Sequence, residues 1–123
     1  MKYLTFIRHS ESYREEGPPP ALLEAMGEFV QASLADGTLV ETGGLLPSKD
    51  GLRVRLEDGK ITVSDGPFSE SKEVIGGYAV IEAKDREEAI ELTKRFLAVH
   101  GDAWDIECEV RPLDGDMEFG PDA

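Results

Sequence analysis

The sequence predicts an α+β domain in which two β-α-β units flank a β-hairpin, the ferredoxin-like arrangement of helices on one face of a mostly antiparallel sheet. Three observations carry that prediction. Two apolar stripes recur at helical spacing, two alternating segments meet at Asp58-Gly59, and four further short runs are rich in β-formers. At 123 residues the chain has the length of one domain. The reading divides it into a folded part over residues 1–113 and a polar, Gly-containing tail over 114–123.

Tyr3-Leu4-Thr5-Phe6-Ile7 opens the chain as a mostly buried strand. A polar stretch from Ser10 to Gly17 runs into Pro18-Pro19-Pro20, and proline belongs at a helix start, where its missing N–H costs nothing. Leu22, Met26, Phe29, Val30 and Ser33 then share one helical face, and Asp36-Gly37 ends the helix because glycine accepts the left-handed cap conformation. Leu39 to Leu46 reads as a strand loosened by Gly43-Gly44 and stopped by Pro47. Leu52, Val54 and Leu56 alternate with Arg53, Arg55 and Glu57, and Ile61 and Val63 alternate with Thr62 and Ser64, which is the signature of a two-residue hairpin. Gly76 to Ala83 forms the next strand. Asp85-Arg86-Glu87-Glu88 has capping-box spacing before a helix with Ala89, Leu92, Thr93, Phe96, Leu97 and His100 on its buried stripe, closed by Gly101. Ile106, Cys108 and Val110 alternate with charged residues in the last strand. One face of such a sheet has no helical cover, so a symmetric homodimer is expected.

Thirteen basic against 26 acidic residues give a formal net charge of −13. A field of that sign repels phosphate backbones and anionic lipid, so nucleic acid and membrane surfaces are not expected partners. No apolar run approaches a bilayer span, and Met1 to Arg8 reads as a strand, not as a signal peptide. The single cysteine, Cys108, points to the reducing cytoplasm.

Asp65-Gly66-Pro67-Phe68, then Lys72-Glu73-Val74-Ile75-Gly76-Gly77-Tyr78, and finally Glu109-Val110-Arg111-Pro112-Leu113 together resemble the DGPF family of YCII-related proteins. The opening Met1-Lys2-Tyr3 and the hairpin from Arg53 to Asp65 are similar as well, so the likeness runs to about Leu113. The resemblance implies a dimeric ferredoxin-like α/β-barrel with a cleft between two facing sheets. Some relatives are associated with lyase-type chemistry through a His-Asp pair. The histidine of that pair falls near the start of the first helix, where this chain has Pro20, Ala21 and Leu22, so the pair does not transfer.

Asp65 is the first candidate for chemistry. At a strand end beside the expected cleft it is placed to act as a general base, or its carboxylate accepts a backbone N–H within the Gly66-Pro67 turn. His9 is the second. Arg8-His9-Ser10-Glu11 is similar to the Arg-His-Gly-Glu motif of histidine phosphatases, but Ser10 replaces the glycine and the chain is short for that fold. His9 and Glu11 alone fall short of a metal site, which needs a third and usually a fourth ligand, and no cofactor is expected. Arg53 and Arg55 share one hairpin face and suit a carboxylate or phosphate; Lys72, Tyr78 and Arg111 complete the expected ligand-binding set. His100 is placed to cap its helix, Trp104 and Phe68 to seal the core or a dimer edge, and Cys108 to act as a small buried hydrophobe.

Two functions are consistent with these residues. One is a non-catalytic module binding a small anionic metabolite in a dimer-bounded cleft. The alternative is a small lyase- or isomerase-type enzyme with Asp65 as base and His9 or Tyr78 assisting.

Overall fold

The computed structural model describes residues 1–9, 20–68, 74–100 and 106–115. The expectations for Ser10 to Pro19, Lys72, Gly101, Trp104 and most of the tail lie outside the described residues, as does the side chain of His9. Within them the order is β1 (Lys2–His9), α1 (Pro20–Asp36), β2 (Leu39–Gly44), a short 3-10 turn (Ser48–Asp50), β3 (Leu52–Glu57), β4 (Lys60–Asp65), β5 (Val74–Glu82), α2 (Arg86–His100) and β6 (Glu107–Pro112). Four strands form an antiparallel sheet in the order β2-β5-β1-β6, while β3 and β4 form a separate two-stranded sheet. With the hairpin set aside, that order is compatible with a ferredoxin-like fold. No helix among the described residues is long and apolar enough to cross a membrane.

The helices begin and end where their caps require. Pro20 is the first residue of α1, and Gly37 beyond its end has φ +82°, the left-handed value that glycine adopts without a steric penalty. At α2 the Glu88 N–H donates to Asp85 Oδ1 at 2.9 Å, and Glu88 Oε1 accepts the Lys84 N–H at 3.1 Å, a reciprocal pair one residue offset from the usual box. Asp85→Ala is expected to lower stability by about 1 kcal/mol, with Asp85→Ser close to wild type. Urea midpoints measure both; equal midpoints for Asp85→Ala and wild type would show that the cap is idle.

Asp36 closes α1 by a different device. Its carboxylate accepts the Thr38 hydroxyl at 2.6 Å and the Thr38 N–H at 2.9 Å, and these bonds, the hydroxyl first, hold its pKa below the usual carboxylate value. A depressed folded-state pKa means that the stabilisation is present above the ordinary carboxylate range and is lost as pH falls through the folded value. The stability gap between wild type and Asp36→Asn is therefore expected to be widest at neutral pH and to close in acid. A gap independent of pH in urea titrations would refute this.

Both helices cover one face of the four-stranded sheet. Tyr3 pairs with Ile81 and Thr5 with Ala79, and these residues point toward the helices. Tyr3, Leu39, Ile81, Ala83 and Ala89 form the buried cluster, with Val30, Leu92 and Val110 packed against it. Phe29 of α1 meets Phe96 of α2 at 6.1 Å between ring centroids. His100 lies edge-on to Phe96 at 5.0 Å, with Nδ1 3.1 Å from the Phe96 carbonyl oxygen. A carbonyl only accepts, so Nδ1 carries the proton in this contact. His100 thus lies on the buried stripe, as expected, and bonds a carbonyl of the last turn of its own helix.

Among the described residues, no helix covers the opposite sheet face. Leu4, Phe6 and Arg8 project there from β1, beside Val80, Tyr78 and Ile75 of β5 and Arg111, Glu109 and Glu107 of β6.

Candidate functional site

The uncovered sheet face and the base of the hairpin enclose an open pocket of about 680 Å³. Phe6, Arg8 and Ile75 form its floor. Its wall comes from Gly44 to Ser48, from Asp50 to Arg53 and from Phe68, that is, from the end of β2, the 3-10 turn and the start of β3. Backbone bonds hold this wall in place. Leu45 N–H donates to the Gly76 carbonyl at 2.9 Å, Gly51 N–H to Ser48 at 2.9 Å, and Gly66 N–H to Gly51 at 2.9 Å.

Among the described residues, two cations reach the pocket from different sheets. Arg8 stands on β1, and its Nη1 donates to Glu109 Oε1 at 3.1 Å. Arg53 lies on β3, with its guanidinium carbon 3.9 Å from the centroid of the Phe68 ring. At that distance the guanidinium sits over the ring face in cation–π contact. Asp50 adds one carboxylate to the lining. Glu109 also faces Arg111, whose Nη1 is 4.0 Å from Oε2, so one carboxylate serves two arginines.

The expected site residues divide accordingly. Arg53 lines the pocket and Arg111 stands beside it through Glu109. Arg55 shares the Arg53 face but is exposed farther along the hairpin. Tyr78 donates to Glu41 Oε2 at 3.2 Å, a bond that raises its pKa above the usual tyrosine value. Its ring covers Gly43, where a Cβ would approach Cε1 to 2.9 Å, so Tyr78 seals the β2–β5 pair and does not line the pocket. His9 closes β1. Asp65 ends β4 exposed, paired with Leu52 on the apolar hairpin face, and is not in the pocket lining.

The described N–H donors of the turn go to partners other than Asp65. Gly66 N–H goes to Gly51, Pro67 has none, and Phe68 N–H donates to Ser48 Oγ at 3.3 Å. The 48–51 loop therefore takes the bonds that an aspartate would have accepted. Phe68, expected to seal the core or a dimer edge, carries the Arg53 guanidinium over its ring. Cys108, expected to be buried, is half-buried on the helix-facing side of β6, and burial pushes its thiol up to about 11, so it stays protonated at neutral pH. No group of three or more His, Cys, Asp or Glu among the described residues is arranged to hold a metal ion.

Sequence reasoning missed Arg8, Asp50 and Glu109. For Arg8 the signal was present, because it alternates in phase with Leu4 and Phe6 on one side of β1.

The family model for the YCII-related domain matches residues 1–107, from β1 to the first residue of β6. The chain belongs to the YCII-related domain family. No curated protein matches this YCII-related chain. Among solved structures it is similar to the de novo designed protein Foldit4, at 13% identity over 93% of this chain and 100% of that one, with a TM-score of 0.41.

Proposed function

We propose that this YCII-related protein, of the DGPF branch and cytoplasmic, is a homodimer that binds a small anionic molecule with an apolar body. The observation that carries the reading is the convergence of Arg8 and Arg53, from separate sheets, on one pocket walled by Phe6, Leu45, Leu46, Leu52, Phe68 and Ile75. Ligand pockets of roughly 300–1,000 Å³ combine an apolar lining with a few placed polar groups, and this pocket has that character. Arginine pairs provide the forked donors that a carboxylate or phosphate group accepts. Asp65 stands outside the pocket, which weighs against the acid–base alternative.

The dimer rests on what the single chain leaves uncovered. Leu52, Val54, Leu56, Ile61 and Val63 share one face of the hairpin and are 57–73% exposed. A second copy laid over that face and the helix-free sheet would bury both and close the open side of the pocket.

Thermal-shift and calorimetric titrations with a panel of aromatic and short aliphatic carboxylates, with the matching alcohols as neutral controls, test the binding. A carboxylate is expected to raise the Tm where its alcohol does not, because a ligand that binds only the folded state stabilises it. Arg53→Gln is expected to remove the shift. No response to any carboxylate, or a shift unchanged in Arg53→Gln, would overturn the proposal.

A further inference from the structure

We infer that the protein carries a second binding site, a cleft between the helices and the sheet, for a small uncharged alcohol whose hydroxyl Ser33 recognises. The cleft follows from the rows of side chains across the sheet. Leu39, Ile81 and Tyr3 stand side by side on β2, β5 and β1, and all three are buried under the helices. The neighbouring row on the same strands is Thr42, Ala79 and Thr5, three smaller residues. Above the sheet, Phe29 of α1 and Phe96 of α2 hold their ring centroids 6.1 Å apart. Small side chains below and bulky rings above leave a space of about 70 Å³, on the opposite face of the sheet from the anion pocket. Met26, Phe29, Val30, Leu92 and Phe96 along it are half-buried, and Thr42 is exposed at the sheet edge, so the cleft opens to solvent.

The lining specifies the occupant. None of the described lining residues is charged and most are apolar, so an ion entering the cleft would lose hydration without gaining a counter-charge from its walls. Asp36, which accepts from Thr38 at one end, also feels the charge of Arg95 on α2. Four hydroxyls of the lining already donate within the protein. Thr5 donates to the Ala79 carbonyl at 3.1 Å, Thr42 to Tyr78 at 2.8 Å, Thr93 to Ala89 at 2.8 Å and Thr38 to Asp36 Oδ1 at 2.6 Å. Each is left with acceptor capacity alone. Ser33 differs. Its carbonyl accepts from Thr38, but its side-chain hydroxyl has no partner among the described residues, and no unpartnered side-chain oxygen among them is buried. The Ser33 hydroxyl is therefore within reach of an occupant, able to donate to it and to accept from it. The space is about two waters' share, which limits the enclosed part of a ligand to roughly three to five non-hydrogen atoms.

Isobutanol, isobutyrate and isobutylammonium share one branched body and differ in charge. Methyl NMR of the full chain, read at Val30 and Leu92, is expected to show saturable shifts with isobutanol. The dissociation constant should be about 0.1–10 mM, the range open to so few atoms. The two ions are expected to bind there at least about tenfold more weakly, whatever isobutyrate does at Ile75 in the anion pocket. Ser33→Ala keeps the space and removes the hydroxyl. It is expected to weaken isobutanol about fivefold, while xenon, which needs only the space, binds as before. Ser33→Leu and Ala79→Val fill the space from opposite sides, and each is expected to lose both isobutanol and xenon. No saturation by isobutanol up to about 100 mM would leave water alone in the cleft and overturn the site. Equal affinity for either ion, or binding that survives in both filled variants, overturns it as well. Isobutanol affinity unchanged in Ser33→Ala overturns the role of Ser33.

Discussion

Gly66→Ala is expected to cost the fold about 3 kcal/mol or more, the upper range for forcing volume against rigid backbone. A Cβ at this position would overlap the Ser48 carbonyl oxygen, stand 2.7 Å from the Ser48 carbonyl carbon and lie 3.3 Å from the Gly51 oxygen. All three obstacles are main-chain atoms of the 3-10 turn, which cannot step aside as a flexible side chain would. The same turn receives the Phe68 N–H through Ser48 and anchors Gly66 through Gly51, so displacing it also moves the Phe68 ring under Arg53. Loss of stability and loss of anion binding should therefore appear together. Gly27→Ala is the matching control. Gly27 lies within α1 with no atom within 4 Å of its Cβ position, and alanine there is expected to stabilise by roughly 0.5–1 kcal/mol. Urea denaturation of the two variants should move the midpoint in opposite directions; a Gly66→Ala midpoint at or above wild type would refute the close approach.

The second large effect concerns assembly. Leu56 and Ile61 face each other across the hairpin on its apolar side, at 73% and 71% exposure. The double variant Leu56→Glu, Ile61→Lys replaces that pair by opposite charges, so the two strands still attract each other while the surface turns polar. Each apolar side chain of this size contributes about 1.5–3 kcal/mol when fully buried, so removing two from each copy is expected to weaken a dimer by about a hundredfold or more. Sedimentation should show wild type at twice the chain mass and the variant at the chain mass, with anion binding reduced as the pocket loses its second wall. Wild type at the chain mass across the micromolar range would end the dimer proposal, while leaving the pocket arginines to be tested on their own.

The hairpin shows where sequence was informative and where it was not. Alternation and Asp58-Gly59 predicted both strands and the turn, and the turn residues adopt φ +53° and +78°, as a two-residue connection with both centres left-handed requires. Nothing in that local pattern says whether the hairpin extends the main sheet. Among the described residues it does not, because its strands pair only with each other while β5 runs on to pair with β1 and β2. Leu39 to Leu46 shows a similar limit. The strand stops at Gly44, since Leu45 N–H turns to the Gly76 carbonyl and Pro47 leads into the 3-10 turn.

The sequence by itself determined the order of elements, the helix caps at Pro20, Gly37 and Asp85, the alternating faces of β3, β4 and β6, and the membership of Cys108 in the helix-facing layer. Each of these depends on residues within a few positions of one another, where spacing alone decides geometry. Only the tertiary structure decided what meets at the pocket. Arg8 and Arg53 are brought together by strand order and by a loop folding back on the sheet. Glu109 reaches Arg8 because β6 pairs with β1, and Asp65 is left outside although its motif is the most recognisable in the chain. Those are contacts between distant segments, set by packing and main-chain bonding across the fold.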